Sequence, residues 1–368
     1  MVVERIAGSE SSLDGRPLFS SVVDVFREQA KKPPGGDPSI ASCYRAVGNL
    51  IESDADFALF LRSSYEKRSN MTPSHYVNLF FRGVQYIKMY VHENFDYVAY
   101  DDFSEWEPEL KRLTTENQEQ LREILSIKDT ATTVYQRYAG PRALIAALTD
   151  GRDLKIADLG CGANYGLRGF ELNEPFETIE NGSVGPLNGW LDRSLNLSEG
   201  LAVDKVNPED SEVKHWVMAC SFYPKEFANV ENVKQMEERL KQSKKVRFLQ
   251  EDLTSPSNLI SGGYFDAVIL STMLYQHRLE DRFVILDEAR RIVNPSGLII
   301  VQDFARKDPS EKSGLRFENA WFNNFGYRTF LSTGDKPDRF FEIFKWADGR
   351  CHQVRPGQDY PRVLPNAT

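Results

Sequence analysis

The sequence lacks the long hydrophobic runs and paired cysteines that mark several classes of protein. No stretch approaches the roughly 20 apolar residues needed to span a bilayer. The N-terminal residues 1–17 contain three acidic residues and no apolar core of the kind found in a signal peptide. The four cysteines are far apart and form no C-x-x-C pair, so they predict neither a metal site nor a disulfide framework. We therefore expect a cytoplasmic protein with reduced thiols, outside the membrane.

Positive charge is also scarce. The 45 lysine and arginine residues are outnumbered by 54 acidic residues, which gives a formal net charge of −9, and no long basic block occurs. Because nucleic-acid binding depends on a basic surface, the expected partner is a small molecule and not a nucleic acid. What the chain does have is 41% hydrophobic residues over 368 positions, enough for two folded domains.

Residues 1–150 form the first predicted domain, and their pattern is helical. Apolar residues recur at helical spacing in several segments, and no strand is predicted before residue 154. Pro38 is placed to open one helix and Asp54 to cap the next. Residues 72–94 have a long apolar face, which predicts a central buried helix. This domain contains no catalytic constellation of its own.

Residues 151–368 form the second predicted domain, in which strands and helices alternate. Continuously apolar strands separated by helices predict a parallel sheet with helices on both faces, a Rossmann-like doubly wound α/β fold. Two further runs near the C-terminus predict an antiparallel hairpin at one sheet edge. The predicted strands lie at residues 154–160, 200–206, 245–252, 265–272, 297–304, 327–335 and 339–354.

The turn after the first of these strands is rich in glycine. It reads IADLGCGANYG over residues 156–166, and ligands of doubly wound sheets bind at such strand ends. No Gly-Lys-Ser/Thr follows, which excludes a phosphate loop, and Gly166 comes one residue too late for a dinucleotide fingerprint. Gly160 and Gly162 leave backbone room for S-adenosylmethionine, and the free amides of the next helix can bind its carboxylate.

Acidic residues follow the next two strands. Asp204 ends the second strand, where a carboxylate can accept both hydroxyls of a ribose. Asp252 follows the third strand, beside the apolar Leu253, and can accept a hydrogen bond from an adenine amino group.

This series of motifs resembles the class I S-adenosylmethionine-dependent methyltransferases over residues 154–303. Asp158, Gly160 and Gly162 match the D/E-x-G-x-G motif of that family, Asp204 and Asp252 match its two later acids, and further matches are Phe265-Asp266 with Val268, Glu288-Ala289-Arg290 and Pro295-Ser296-Gly297. The resemblance implies a methyltransferase with S-adenosylmethionine as cofactor. It implies a cofactor site at Asp158, Gly160, Cys161, Gly162, Asp204, Lys205, Asp252, Leu253 and Ser271.

Other roles stay open for some of these residues. Asp158 could contact the cofactor through water or only support the turn, and Cys161 is expected to be a small packing residue, not a nucleophile. Asp266, at the start of its strand, is expected to satisfy local backbone groups.

The whole chain also resembles an uncharacterised bacterial family, known as a domain of unknown function, with a helical half before a methyltransferase-like half. That resemblance is carried by residues 39–61, 132–148 and 201–240. The chain departs from a compact methyltransferase because 41 residues separate Gly162 from Asp204, whereas Rossmann spacing needs about twenty. The extra segment, residues 170–199, predicts a helix remnant with a loop or small hairpin.

The loop after the fourth strand, residues 271–277, lies where the methyl acceptor should bind. His277 and Asp303 are the candidate bases, and Tyr275 could position the substrate, although His277 could equally contact the cofactor or pack. No Asn/Asp-Pro-Pro-aromatic motif occurs, which disfavours the DNA and protein amide methyltransferases. We therefore predict methyl transfer to a small-molecule O or N acceptor.

Two alternatives and three further expectations accompany this prediction. The chain could bind S-adenosylmethionine without turnover, as a sensor or scaffold, whereas Tyr165 and the lack of a Ser-Tyr-Lys set argue against a nicotinamide-dependent oxidoreductase. The helical domain is expected to cap the cofactor cleft, and its aromatic residues favour an apolar or aromatic substrate. A homodimer is also left open.

Overall fold

The computed structural model describes residues 18–68, 71–94, 103–131, 134–180, 182, 184–317, 326–347 and 349–364. The chain divides into two compact units. The first unit comprises residues 1–131 and 218–231, and the second comprises residues 132–217 and 232–368.

The first unit is helical in its described residues. Two carboxylates begin helices there: Asp37 accepts hydrogen bonds from the amides of residues 39 and 40, and Asp54 accepts one from Phe57 N at 3.1 Å. The cap predicted at Asp54 is confirmed. The helices are α1 (Leu18–Lys31), α2 (Pro38–Ser53), α3 (Ala55–Glu66), α4 (Pro73–Tyr86) with a π-helical turn at Ile87–Val91, α5 (Phe103–Glu116) and α6 (Gln118–Ile127).

Helix α4 is the buried centre of the first unit, as its long apolar face predicts. Ten of its 14 residues are buried, including Tyr76, Phe80 and Phe81. Its two buried polar residues bind the segment 218–231, since Gln85 Nε2 donates to Ala219 O at 2.5 Å and Arg82 donates to Phe222 O. These hydrogen bonds explain why residues 218–231 belong to this unit, although they are distant in sequence.

The second unit is built on a nine-stranded sheet with strand order β3-β2-β1-β4-β5-β7-β8-β9 and β6 paired to β5. Strands β1 to β5 pair in parallel, and β6 to β9 pair antiparallel. The strands are β1 (Asp153–Leu159), β2 (Asn196–Asp204), β3 (Val246–Gln250), β4 (Phe265–Ser271), β5 (Val293–Lys307), β6 (Leu315–Phe317), β7 (Tyr327–Thr333), β8 (Lys336–Trp346) and β9 (Val354–Pro356).

Helices flank this sheet, and its two faces carry separate apolar clusters. Neighbouring residues of β1 point to opposite faces: Ile156 packs in one cluster and Ala157 in the other. The predicted doubly wound fold and its antiparallel edge are therefore confirmed. The helices are α7 (Ala139–Leu148), α8 (Tyr165–Leu172), α9 (Leu187–Leu191), α10 (Ser211–Ser221), α11 (Val230–Leu240), α12 (Leu279–Ile292) and α13 (Tyr360–Val363). Helices α10 and α11 each have residues in both units.

Two segments differ from the pattern expected from the sequence. Helix α7 packs against α9 and β5, so residues 132–150 group with the sheet, whereas the sequence pattern placed a boundary at residue 150. The segment 170–199 contains α9 and an early start of β2, and its described residues form no hairpin, so of the two expected arrangements the helix with a loop is the one observed. Apolar periodicity identifies a helix but does not specify which core covers it.

Candidate active site

The turn between β1 and α8 has an unusual backbone. Gly160, Gly162 and Asn164 have φ angles of 79°, 54° and 56°, all in the left-handed region. Glycine adopts this region freely, and asparagine is one of the few other residues that tolerates it. The amides of Gly160 and Cys161 both donate to Val203 O of β2, at 2.8 and 3.1 Å. The turn is thereby held against the end of the neighbouring strand.

Asp204 supports the same turn from the end of β2. Its Oδ2 accepts a hydrogen bond from Gly162 N at 2.9 Å. Burial raises the pKa of this carboxyl, and the hydrogen bonds that it accepts from backbone amides oppose that change. The structure thus brings together Gly162 and Asp204, which lie 42 positions apart in the sequence.

Asp158 lies fully buried on β1, behind the glycine turn. Tyr138 donates its hydroxyl hydrogen to Asp158 Oδ2 at 2.9 Å, whereas Oδ1 has no hydrogen-bond partner among the described residues. Burial raises the pKa of Asp158 to about 7, against the lowering effect of the Tyr138 hydrogen bond. The Tyr138 ring reaches this position because Gly166 has no side chain: a Cβ there would lie 2.2 Å from Tyr138 Cε1.

Asn164 is a candidate site residue that the sequence interpretation did not include. Its side chain is fully buried, and neither its Oδ1 nor its Nδ2 has a partner within the described part of the chain. Buried amides without partners are rare and indicate a missing ligand or water. A signal was present in the sequence, because an asparagine two residues after G-x-G is suited to a left-handed backbone.

The room expected above Gly160 is filled by another side chain. A Cβ on Gly160 would lie 2.7 Å from Met273 Sδ, so the glycine allows Met273 to pack against the turn. Cys161 is buried, and burial raises the pKa of its thiol. It packs as expected for a small residue and not as an activated nucleophile.

The end of β3 forms a second part of the site. Asp252 accepts hydrogen bonds from Thr254 N at 2.9 Å and Thr254 Oγ1 at 2.7 Å, and these lower its pKa. Lys205 and the protonated form of His277 lower the pKa of Asp252 in the same direction, which places both side chains in its electrostatic neighbourhood. Leu253 is buried beside it.

The ends of β4 and β5 form the third part. Ser271 is buried, and Thr272 has a φ of 59°, a strained value for a β-branched residue. Thr272 Oγ1 lies 2.5 Å from the hydroxyl of Tyr327, which supports it. Tyr275 packs its ring edge-on against Phe304, and both Tyr275 and His277 are half-buried.

Asp303 holds the loop that carries Tyr275. It is fully buried and accepts hydrogen bonds from Tyr275 N at 3.2 Å and Phe304 N at 2.8 Å. Burial raises its pKa to about 7, against the lowering effect of these amides. Arg282 binds the same loop through the carbonyls of residues 274 and 275. Asp266, by contrast, lies at the start of β4 and accepts a hydrogen bond from Lys155 N of the neighbouring strand β1. It satisfies a backbone group, as expected.

The raised pKa of Asp303 leads to a prediction about stability and pH. A carboxyl with a raised pKa in the folded state stabilises fully below its unfolded pKa, roughly 4, and this contribution is lost as pH rises through about 7. We expect the protein to be less stable at pH 8 than at pH 5. We expect a smaller difference in Asp303→Asn, because an amide stays neutral.

Urea unfolding of both proteins at the two pH values measures this effect. Asp158 titrates over the same range, so the variant should keep part of the pH dependence. An equal pH dependence in the two proteins would contradict the assignment to Asp303.

The architecture and the site together define a class of protein. A parallel sheet with a glycine turn after its first strand, and with acids on its first two strands and after the third, matches the class I S-adenosylmethionine-dependent methyltransferases. Residues 217–301 match the model of a family described as a methyltransferase domain. Over residues 217–301 the chain therefore carries a match to a methyltransferase domain, and the cofactor of this class of enzyme is S-adenosylmethionine. The class, the type of enzyme and the cofactor expected from the sequence are confirmed at the level of this domain.

Several solved structures are similar to part of the chain. The YcgJ protein of Bacillus subtilis has 17% identity over 47% of this chain and 53% of its own, with a TM-score of 0.26. The N-methyltransferase NodS of Bradyrhizobium japonicum, in complex with S-adenosylhomocysteine, has 12% identity over 47% and 63%, with a TM-score of 0.27. A Haloferax volcanii complex of the Trm112 methyltransferase activator with a methyltransferase has 15% identity over 46% and 52%, with a TM-score of 0.27.

These similarities are partial. The chain covers only 53%, 63% and 52% of the lengths of these three structures, and TM-scores this low support no functional argument. A search of curated proteins finds no match. Within the described ranges, no helix has the length and apolar character needed to cross a membrane, and no cluster of three potential metal ligands occurs.

Proposed function

We propose that this protein transfers the methyl group of S-adenosylmethionine to an oxygen or nitrogen atom of a small molecule. The observation that carries the proposal is the environment of the glycine turn. Asp204 braces the turn, while Asp158 Oδ1 and the amide of Asn164 are buried beside it without partners in the described structure. Such groups are costly when unsatisfied, and a polar ligand at the turn would satisfy them.

The residues around the turn fit the polar parts of this cofactor. When bound, S-adenosylmethionine supplies an electrophilic methyl group on a sulfonium. In this proposal Asp204 accepts the ribose hydroxyls, and Asp252 with Leu253 binds the adenine. The turn from Gly160 to Gly162, including Cys161, and the start of α8 would hold the amino-acid portion. Lys205 and Ser271 lie at the ends of β2 and β4 beside these groups.

The acceptor side is formed by the loop 271–277. We propose that His277 accepts the proton of the acceptor and that Tyr275 forms a wall against it. Asp303 is better suited to positioning than to proton transfer, because its carboxylate is occupied by the amides of Tyr275 and Phe304. It would keep the loop in one conformation, so that donor and acceptor stay in line. The capping role of residues 1–150 and a homodimer remain predictions.

The first test is calorimetric titration of the full chain with S-adenosylmethionine, with NAD as the comparison ligand. Micromolar binding of S-adenosylmethionine alone supports the cofactor site, and binding of NAD alone would favour an oxidoreductase. The second test follows transfer of a labelled methyl group to pools of small hydroxyl and amine compounds. Binding without transfer to any pool would favour the alternative of a non-catalytic cofactor-binding protein.

Asn164 provides a sharper prediction about the turn. Asn164→Gly keeps a residue that adopts positive φ freely, so we expect little change in stability. We expect S-adenosylmethionine to bind about tenfold more weakly, since one buried hydrogen bond contributes about 1 kcal/mol or more. Calorimetry measures the affinity, and thermal unfolding verifies the fold. An unchanged affinity would show that the amide does not contact the cofactor.

A further inference from the structure

A row of charged residues crosses four strands at the antiparallel edge of the sheet. Asp303 on β5 lies opposite Arg328 on β7, Arg328 lies opposite Lys345 on β8, and Lys345 lies opposite Arg355 on β9. Directly opposed residues share a face of the sheet, with Cβ atoms about 5 Å apart. Three cationic side chains therefore lie side by side, starting next to Asp303.

Sheet stability does not explain this row. Like charges directly opposite each other are destabilising, and the ion pairs that Arg328 and Lys345 make with described residues go to one carboxylate. Glu342, nearly fully buried, pairs with Arg328 and, at 3.2 Å, with Lys345. Arg355 is exposed and makes no ion pair with any residue that the structure describes. The row therefore keeps positive charge that the fold does not need, in a chain with a net charge of −9.

The same residues line a cavity of about 700 Å³. Pockets of roughly 300–1,000 Å³ suit small ligands. The lining holds three cations and one carboxylate, Glu180, and Glu342 outside the lining offsets a second positive charge, so the charge at the cavity stays positive. Its lining includes Glu180, Arg328, Lys345, Trp346, Gln353 and Arg355. The carboxylate of Glu180 accepts a hydrogen bond from Gln353 Nε2 at 2.7 Å, which orients it within the lining.

The cavity borders the loop assigned to the acceptor. Tyr327 also lines the cavity, and on the face of β7 opposite to Arg328 its hydroxyl lies 2.5 Å from Thr272 Oγ1 of the loop 271–277. At the start of the row, Asp303 accepts a hydrogen bond from Tyr275 N in the same loop. Asp303 therefore connects the two features, because it lies opposite Arg328 of the cavity lining and accepts a hydrogen bond from the loop that we assign to the acceptor.

We propose that this cavity binds an anionic group, a phosphate or carboxylate, on the methyl acceptor. The inference rests on the proposed function and narrows its substrate class to small anionic molecules. Arginine binds phosphate and carboxylate oxygens through two parallel hydrogen bonds, and lysine adds a point charge. Arg328, Lys345 and Arg355 together favour a doubly charged phosphate over a single carboxylate.

The test titrates the full chain with inorganic phosphate and, separately, with acetate at constant ionic strength, with and without S-adenosylhomocysteine. We expect phosphate to bind more tightly than acetate. Arg355→Gln and Lys345→Gln should each weaken phosphate binding about tenfold. Arg247→Gln is the matched control, because Arg247 is an exposed arginine on β3 at the opposite edge of the sheet. It should leave phosphate binding unchanged.

Each result has a defined meaning. Phosphate affinity that is equal in the wild type and Arg355→Gln, or no phosphate binding at all, overturns the proposal. Binding of S-adenosylhomocysteine is measured in every variant and should not change. If the wild type does not bind S-adenosylhomocysteine while its phosphate binding still depends on Arg355, the proposed function is wrong and the anion site is supported. Circular dichroism melting of each variant verifies that weaker binding does not reflect unfolding.

Discussion

Asp204→Ala is expected to weaken the binding of S-adenosylmethionine by about 100-fold or more. Two hydrogen bonds from ribose hydroxyls to a carboxylate contribute roughly 1.5–3 kcal/mol each, and both would be lost. The variant also removes Asp204 Oδ2, which accepts a hydrogen bond from Gly162 N at 2.9 Å and so holds the glycine turn in place. Calorimetric titration of the wild type and the variant measures the change.

Two further variants separate the possible causes of this loss. Asp192→Ala removes an exposed carboxylate that follows α9, and it should bind the cofactor like the wild type. Asp204→Asn keeps an oxygen that can accept from Gly162 N but removes the charge, so an intermediate loss is expected. Wild-type affinity in Asp204→Ala would refute the assignment of the cofactor to this turn.

Gly166→Ala is expected to destabilise the protein by about 2–3 kcal/mol, the range for an overpacked core. Its Cβ would lie 2.2 Å from Tyr138 Cε1, and the Tyr138 ring would have to move. That movement would break the hydrogen bond from Tyr138 to Asp158 Oδ2, so that neither oxygen of this carboxyl would have a partner among the described residues. Urea unfolding measures the free energy of unfolding of both proteins.

The control is Gly189→Ala, at an exposed glycine in α9 whose added Cβ would meet nothing within 4 Å. This change should be neutral or stabilise by up to about 1 kcal/mol, as alanine usually does in a helix. Repeating Gly166→Ala in a Tyr138→Leu background should reduce its cost, because the smaller side chain leaves room. An equal cost in the two backgrounds would show that the clash with Tyr138 is not the cause.

Much of the sheet and the cofactor turn could be predicted from the sequence. Buried parallel strands are short apolar runs, and a turn that needs positive φ selects glycine, so both leave local signals. The acids at Asp204 and Asp252 could be placed by the same logic, because parallel strands end at one edge. Gly166 shows the limit of such reasoning: its late position counted against a dinucleotide site, but its packing against Tyr138 was not evident.

The sequence by itself determined the α/β class, the glycine turn and the acidic residues at the strand ends, because these depend on neighbouring residues and on the period of the apolar pattern. Only the tertiary structure decided that residues 132–150 pack with the sheet and that Asn164 is buried without partners. It also decided that Arg328, Lys345 and Arg355 form one row. These features depend on strand register and on contacts between residues far apart in the chain, which no local pattern encodes.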